Sequence, residues 1–240
     1  MITKIVYSSR LFPNIWAYSN PMKILEFQTM VGLAGFSGDD VVLDLGCGNG
    51  LQTCCLAKMA KRVVGVDIGD MSKAEDKARR VASKVNVQFL QSRLQDAPFS
   101  DEMFDKVFSF CVIEHIPEYL EIMQKCFDLL KPGGEFIISV DSLPGISPEL
   151  KAIHAKRHHV VHYFQAPELR EILSKCGFSE VHVQGLYRSK YAERLFSRGI
   201  LDDFSHSLLA TFRRWLALRV TEGLSRRSEE GIFLVARCRK

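Results

Sequence analysis

The chain predicts an α/β fold: a seven-stranded, mostly parallel sheet with helices on both faces and its last strand antiparallel. Three observations carry this. Apolar runs rich in Val, Ile and Phe recur at 41–45, 63–67, 87–91, 106–111, 135–140, 181–186 and 231–237. Helix-patterned segments separate the early runs, the alternation that joins parallel strands through crossover helices. The first run, VVLDL, is apolar at four of its five positions, as in a strand covered on both faces.

The elements follow in order. Residues 1–37 precede the first strand and predict an N-terminal helical cap. Helices are expected at 51–60 and 71–83, between the first three strands, and at 118–130 after the fourth. Lys131-Pro132-Gly133-Gly134 ends that last helix, because proline disfavours helix before it and the glycines turn the chain. A helix at 167–176 ends at Gly177, a C-cap signal. Two stretches break the alternation, 142–166 and 187–230. Ligands of open α/β sheets sit at the carboxyl ends of the strands, so insertions near the fifth strand are expected to shape a pocket.

Composition sets outer bounds. The 240 residues are 47% hydrophobic and 25% charged, as in a soluble globular protein. No apolar run approaches the roughly 18–20 residues of a membrane-spanning helix. The start, MITKIVYSSRLFPNIW, lacks the apolar core and small-residue cleavage site of a secretory signal. Seven cysteines with no CxxC pair suggest neither a disulfide framework nor a zinc site; a reducing, cytoplasmic setting is expected. Charge is uneven: residues 186–240 hold 12 Lys/Arg against 6 Asp/Glu, while the remainder is slightly acidic.

The stretch LDLGCGNG carries the chemistry. Gly46, Gly48 and Gly50 are spaced two apart, with Asp44 two residues ahead. A dinucleotide site uses G-x-G-x-x-G instead, and a buried carboxylate beside a phosphate would be repulsive. Beside a ligand bearing positive charge it is favourable. Asp67, at the end of the second strand, is placed to accept both hydroxyls of a ribose, a feature that dinucleotide enzymes share.

Taken together, LDLGCGNG, GVDIGD, FDKVFSFCVIEHIPE and LLKPGGEFIISV resemble the class I S-adenosylmethionine-dependent methyltransferases. The small-molecule subgroup, with its Glu-His pair after the fourth strand, is the nearest in pattern. The resemblance covers residues 38–185 and implies a Rossmann-like sheet with S-adenosyl-L-methionine as cofactor and S-adenosyl-L-homocysteine as product. It implies that the loop of Gly46, Cys47, Gly48 and Gly50 lies against the methionine part, and that Asp44 helps hold the ammonium. By the same resemblance Asp67 binds the ribose, Ile68 packs on the adenine, and the backbone near Cys111 faces the methionine amine. One position departs: Arg93 stands where the family has an Asp for the adenine amine. Arg offers only donors, which leaves the Leu94 backbone amide, or Asp96 in a shifted loop, for that contact. The implied organisation is a single domain over 1–240, with a cofactor-binding half at 38–141 and a substrate-side half at 142–240 carrying the insertion 187–230. The implied activity is methyl transfer to a small-molecule or lipid-like acceptor; a nicotinamide-dependent oxidoreductase and a non-catalytic S-adenosylmethionine-binding protein are the alternatives.

Three further features bear on the acceptor. His115, directly after the fourth strand, is the candidate catalytic base, its reference pKa lying near working pH; the alternative is a structural histidine at a helix start. In IHAKRHHVVHYF (153–164) the histidines at 154, 158 and 162 are four apart, one face of a helix, but Val160, Val161, Tyr163 and Phe164 favour an extended exit. His158, His162 and Tyr163 are candidate substrate-lining residues, and no metal is predicted. In DFSHSLLATFRRWLALRV (203–220), Phe204, Leu208, Phe212, Trp215, Leu216 and Val220 recur at helical spacing among arginines, with Arg226 and Arg227 following. This stripe is expected to pack on the chain's own pocket or in a homodimer interface; peripheral contact with a membrane is the alternative. No interleaved aromatic motif supports a nucleic-acid partner.

Overall fold

The structure is a computed structural model that describes residues 20–81, 86–201, 207–226 and 228–240. Seven strands form one sheet in the order β3-β2-β1-β4-β5-β7-β6. They are β1 (Val41–Leu45), β2 (Arg62–Asp67), β3 (Val87–Gln91), β4 (Phe104–Phe110), β5 (Leu130–Asp141), β6 (Ser179–Leu186) and β7 (Phe233–Arg239). The first five pair in parallel, and β7 lies antiparallel between β5 and β6, as the sequence predicts. Strand order reverses between β1 and β4, so the loops after these two strands flank the crevice where open α/β sheets take ligands.

Eight helices are described: α1 (Pro21–Leu33), α2 (Leu51–Leu56), α3 (Ser72–Val81), α4 (Tyr119–Leu129), α5 (Pro148–His158), α6 (Ala166–Lys175), α7 (Lys190–Leu201) and α8 (Leu208–Leu224). Alternate residues of each strand feed opposite faces of the sheet. Val42, Val63, Phe108, Ile137 and Val235 face one core with α1, α2, α7 and α8. Leu43, Val64, Val107, Phe136 and Leu234 face the other with α4 and α6.

The expected cap is α1, started by the Asn20 side chain accepting from Met22 N (2.9 Å) and by Pro21 in the first turn. The rest of the expected cap, 1–19, and the expected end of the second helix at 82–83 lie outside the described residues. The Lys-Pro-Gly-Gly stretch is a bulge inside β5, not a turn ahead of it: Phe104 pairs with Leu130 and Lys106 already with Glu135, and Gly133 takes φ 78°. Three of the described helices, α5, α7 and α8, stand where the alternation breaks. Ser147 caps α5, with Pro148 at its first position, and α7 occupies the start of the 187–230 insertion.

The insertion is bound to α1. Trp215 of α8 is 5% exposed, and its indole N–H donates to Gln28 Oε1 of α1 (3.0 Å). Tyr187 OH donates to Met22 O. The expected stripe is split by this packing. Trp215 faces inward with Thr211, Leu218 and Glu222, whereas Leu216 and Val220 are exposed; Phe204 and Arg227 lie outside the described residues. Trp215→Ala is therefore expected to cost about 3–5 kcal/mol, roughly 6–20 °C of melting temperature at this chain length. Leu216→Ala should stay within about 0.5 kcal/mol, as for surface positions generally. Thermal unfolding of the two variants checks the split; equal losses would contradict it.

Candidate active site

The first half of the site is built by the loops after β1 and β2. Gly46 and Gly48 both take left-handed backbone angles, φ 70° and 51°. A Cβ on Gly46 would lie 2.4 Å from Val112 Cγ2, so this glycine lets the loops after β1 and β4 pack together. A Cβ on Gly48 would meet nothing within 4 Å, so the loop turns a bare backbone toward open space. Behind it Asp44 is buried and its Oδ2 accepts from Thr53 Oγ1 (2.6 Å). Burial pushes the Asp44 carboxyl up to about 7; the Thr53 hydrogen bond opposes this and the charge of Asp67 adds to it. Asp67 joins two loops, its carboxylate accepting from Gly48 N (2.8 Å) and Gly69 N (2.9 Å). Ile68 beside it is 73% exposed, an apolar side chain with its face to solvent. Cys47 is buried against Met71. Arg93 is exposed and Leu94 is buried, in the turn after β3.

The second half is a cavity of ≈ 320 Å³ at the carboxyl ends of β4 and β5. Its wall takes Lys23 from α1, Cys111 and His115 from the loop after β4, and Asp141 from the end of β5. His154, Arg157 and His158 come from α5, and Phe196 and Ile200 from α7. Of the predicted acceptor-side residues, His115 and His158 are in this wall. Tyr163 stands behind it, its hydroxyl 3.1 Å from His154 Nδ1. His162 is turned elsewhere: Nε2 lies 2.8 Å from Glu168 Oε1 and the ring stacks on Tyr119. The spacing of four fails at His162 because His159, at φ 55°, ends α5 and the chain leaves extended. His154 and His158, one turn apart on α5, do meet, with ring centroids 4.7 Å apart.

Burial governs the histidines here. It holds His115 below the ordinary histidine value, helped by the charge of Lys23, and His115 Nδ1 is buried without a hydrogen-bond partner. It lowers His154 to about 4, with His158 and His115 adding to the effect, and lowers His158 as well, with Arg157. All three are neutral near pH 7 and able to accept a proton.

Beneath the wall lies a buried acidic group. Cys111 Sγ and the carboxylates of Glu114 and Asp141 lie within 4.8 Å of one another. Burial, then each other's charge, raises Glu114 far above the carboxylate range. Asp141 is raised by burial to about 7, with Lys23 opposing and Glu26 adding. Lys23, ion-paired with Glu26 at 2.9 Å, supplies the countercharge. Lys23, Glu26, Asp141 and His154 belong to the site architecture without a motif of their own; α1 and α5 bring them in through long-range packing. Ser147-Pro148-Glu149, a helix start, is the signal in the sequence that could have placed His154 on a helix.

Comparison with known proteins bears on the domain and its fold. Residues 43–138 match the family described as a methyltransferase domain. The chain is 30% identical over 161 residues to a probable S-adenosylmethionine-dependent methyltransferase of Mycolicibacterium smegmatis, covering 65% of this chain and 59% of the relative. It is 33% identical over 121 residues to a ubiquinone biosynthesis O-methyltransferase of Pseudomonas fluorescens, covering 50% of each. The chain thus spans between half and three-fifths of the length of these relatives. The solved structure of phosphoethanolamine N-methyltransferase 2 from Haemonchus contortus, in complex with S-adenosyl-L-methionine, shares the fold at a TM-score of 0.68 and 18% identity, over 99% of this chain and 59% of that one. On these matches, residues 43–138 form a methyltransferase domain, and the chain is similar in sequence to S-adenosylmethionine-dependent methyltransferases and shares their fold.

Proposed function

We propose that this chain transfers a methyl group from S-adenosyl-L-methionine to a small-molecule or lipid-like acceptor held in the cavity beside β4 and β5. The observation that carries the reading is the loop after β1: a bare, open Gly48 backed by the buried Asp44 carboxylate. Exposed Ile68 and the Asp67 carboxylate flank it, which suits a ligand with an ammonium, a ribose and a flat base. Asp44 would balance the ammonium, Asp67 would accept from the ribose, and Ile68 would cover the adenine. With Arg93 in place of an acid, the adenine edge falls to backbone near Leu94. Bound there, the cofactor supplies a methyl group on a sulfonium, an activated leaving arrangement that needs alignment more than chemistry from the protein.

On the acceptor side, Met22, Phe196, Ile200 and Phe233 give the cavity an apolar wall fit for a ring or chain. His115, neutral and in the cavity wall, serves as the base that takes the acceptor's proton while the acceptor is held for in-line attack. His158 and the Tyr163-anchored His154 line the same space.

Calorimetry with S-adenosylmethionine and S-adenosylhomocysteine tests the cofactor. Asp67→Ala should lose hydrogen bonds to a charged acceptor worth roughly 1.5–3 kcal/mol, about tenfold to a hundredfold in affinity. Binding of NAD and of neither sulfur compound would refute the reading at its base.

A pH dependence follows from Asp44. Its raised pKa, about 7 in the free protein, means that the carboxyl must lose a proton to meet an ammonium. Affinity should therefore rise with pH from 6 to 8, by at most about tenfold per pH unit, with net proton release on binding. Titration in two buffers of different ionisation enthalpy measures that release, and in Asp44→Asn it should vanish.

The base is tested through S-adenosylhomocysteine release, with small-molecule cell extracts as the source of acceptor. His115→Gln should slow turnover by about 10²–10⁴-fold. Since neutral His115 is the active form and burial lowers its pKa below 6.5, the acid limb of the wild-type profile should lie below that pH. The limb should be gone in the variant; a limb that persists would leave His115 a structural role only.

A further inference from the structure

The outer face of α8 has no part in the cofactor crevice or the cavity. At about 100° per residue, Leu209, Arg213, Leu216, Val220 and Leu224 fall within an arc of about 80°. Thr211, Trp215, Leu218 and Glu222 fall on the opposite arc and are buried. The outer leucines and valine are left in solvent, Leu209 at 66%, Leu216 at 45%, Val220 at 51% and Leu224 at 83% exposed. Four large apolar side chains in a row on one helix are more than the scattered exposure of ordinary surfaces.

The charge around this row has one sign. Arg213 is exposed within the arc and Arg226 just beyond the helix, while Arg219, also exposed, stands to one side with its guanidinium over the Trp215 ring (5.6 Å). The helix carries one acidic residue, Glu222, and that one is buried on the inner side. It is bound to Tyr187 N, Arg188 N and Ser189 N. The outer face therefore offers leucines and guanidinium groups and no carboxylate.

We propose that the outer face of α8 lies on an anionic lipid surface, with Leu209, Leu216, Val220 and Leu224 immersed in the headgroup region and Arg213 and Arg226 on lipid phosphates. This is the arrangement by which amphipathic helices bind membrane interfaces: apolar burial plus attraction to anionic lipid. A second copy of the chain is the less suitable occupant. A two-fold interface sets the same patch against itself, and here that would bring arginines against arginines. No helix among the described residues is long and apolar enough to cross a membrane, so the contact is peripheral. The placement also suits a lipid-like acceptor, because α8 packs against α7, whose Phe196 and Ile200 line the cavity. The proposal itself does not depend on the cofactor reading, since vesicle binding is measured with no cofactor added.

Co-sedimentation with vesicles of phosphatidylglycerol and phosphatidylcholine in equal parts, and of phosphatidylcholine alone, tests it. The full chain should pellet with the first and not the second, and should be released as salt shortens the screening length. Leu224→Gln and Leu216→Gln should each weaken vesicle binding about tenfold, and Arg213→Glu by at least as much, with melting temperatures unchanged because these side chains are exposed. Failure to pellet with anionic vesicles overturns the proposal, as does binding indifferent to Leu224→Gln. Sedimentation equilibrium is the second measurement: a dimer that dissociates in Leu216→Gln assigns the face to a second copy and overturns it as well.

Discussion

The site depends on one buried carboxylate. Glu26 of α1 is fully enclosed, and a charge removed from water is tolerated only when it is paired and hydrogen-bonded. It receives Ser139 Oγ (2.5 Å) from β5 and Cys111 Sγ (3.1 Å) from the end of β4, with Lys23 at 2.9 Å. Cys111 N–H in turn donates to Ser139 Oγ (3.1 Å) and to Ser139 O (3.1 Å). The resulting chain runs from the backbone of β4 through a hydroxyl to the carboxylate, and each bond polarises the next. It fixes α1 across the carboxyl ends of the two strands that floor the cavity. It also anchors the residue where β4 turns left-handed, Cys111 at φ 52°, beside the loop that carries Val112 onto Gly46.

Burial decides the state of the groups above it. Tyr163 OH donates to Lys151 O (3.2 Å), so it accepts from His154, which places the imidazole proton on Nδ1. His154 Nε2 is then a lone pair facing Asp141 Oδ2 at 3.7 Å. A neutral imidazole and a carboxyl titrating near 7 are the compatible partners, and burial favours both uncharged forms. The cavity thus keeps its fixed charge on Lys23 and Arg157 and its proton acceptors on the histidines.

Most of the sheet was legible because its signals are local. The strands announce themselves as apolar runs, and the turn after β1 as glycines, Gly46 and Gly50 meeting Val112 and Phe89 where any side chain would collide. The acidic anchors Asp44 and Asp67 stand at fixed places on strand ends. What escaped was set by distant packing. Lys23 and Glu26 are ordinary residues on an N-terminal helix until α1 lies over β4 and β5. Asp141 is an unremarked strand end until α5 brings His154 to it. Histidine spacing alone would carry His162 onto α5; Val160, Val161, Tyr163 and Phe164 mark the extended exit that the left-handed His159 begins.

Helical spacing also could not choose between the two apolar arcs of α8. Trp215 and Leu216 are adjacent in sequence and both belong to plausible stripes, so the choice falls to a polar constraint. The Glu222 carboxylate accepts from Tyr187 N (2.9 Å), Arg188 N (2.8 Å) and Ser189 N (3.0 Å), the amides where the chain leaves β6 and enters α7. Buried amides that lose such a partner are costly, so Glu222 must point inward. Fixing one residue of a rigid helix fixes its rotation about its own axis. Trp215, seven residues earlier and on the same arc, is thereby turned to Gln28 of α1, and Leu216, Val220 and Leu224 are turned to solvent. A hydrogen-bonding requirement at the β6 exit, and not the hydrophobicity of the stripe, decides which face of α8 is left outside.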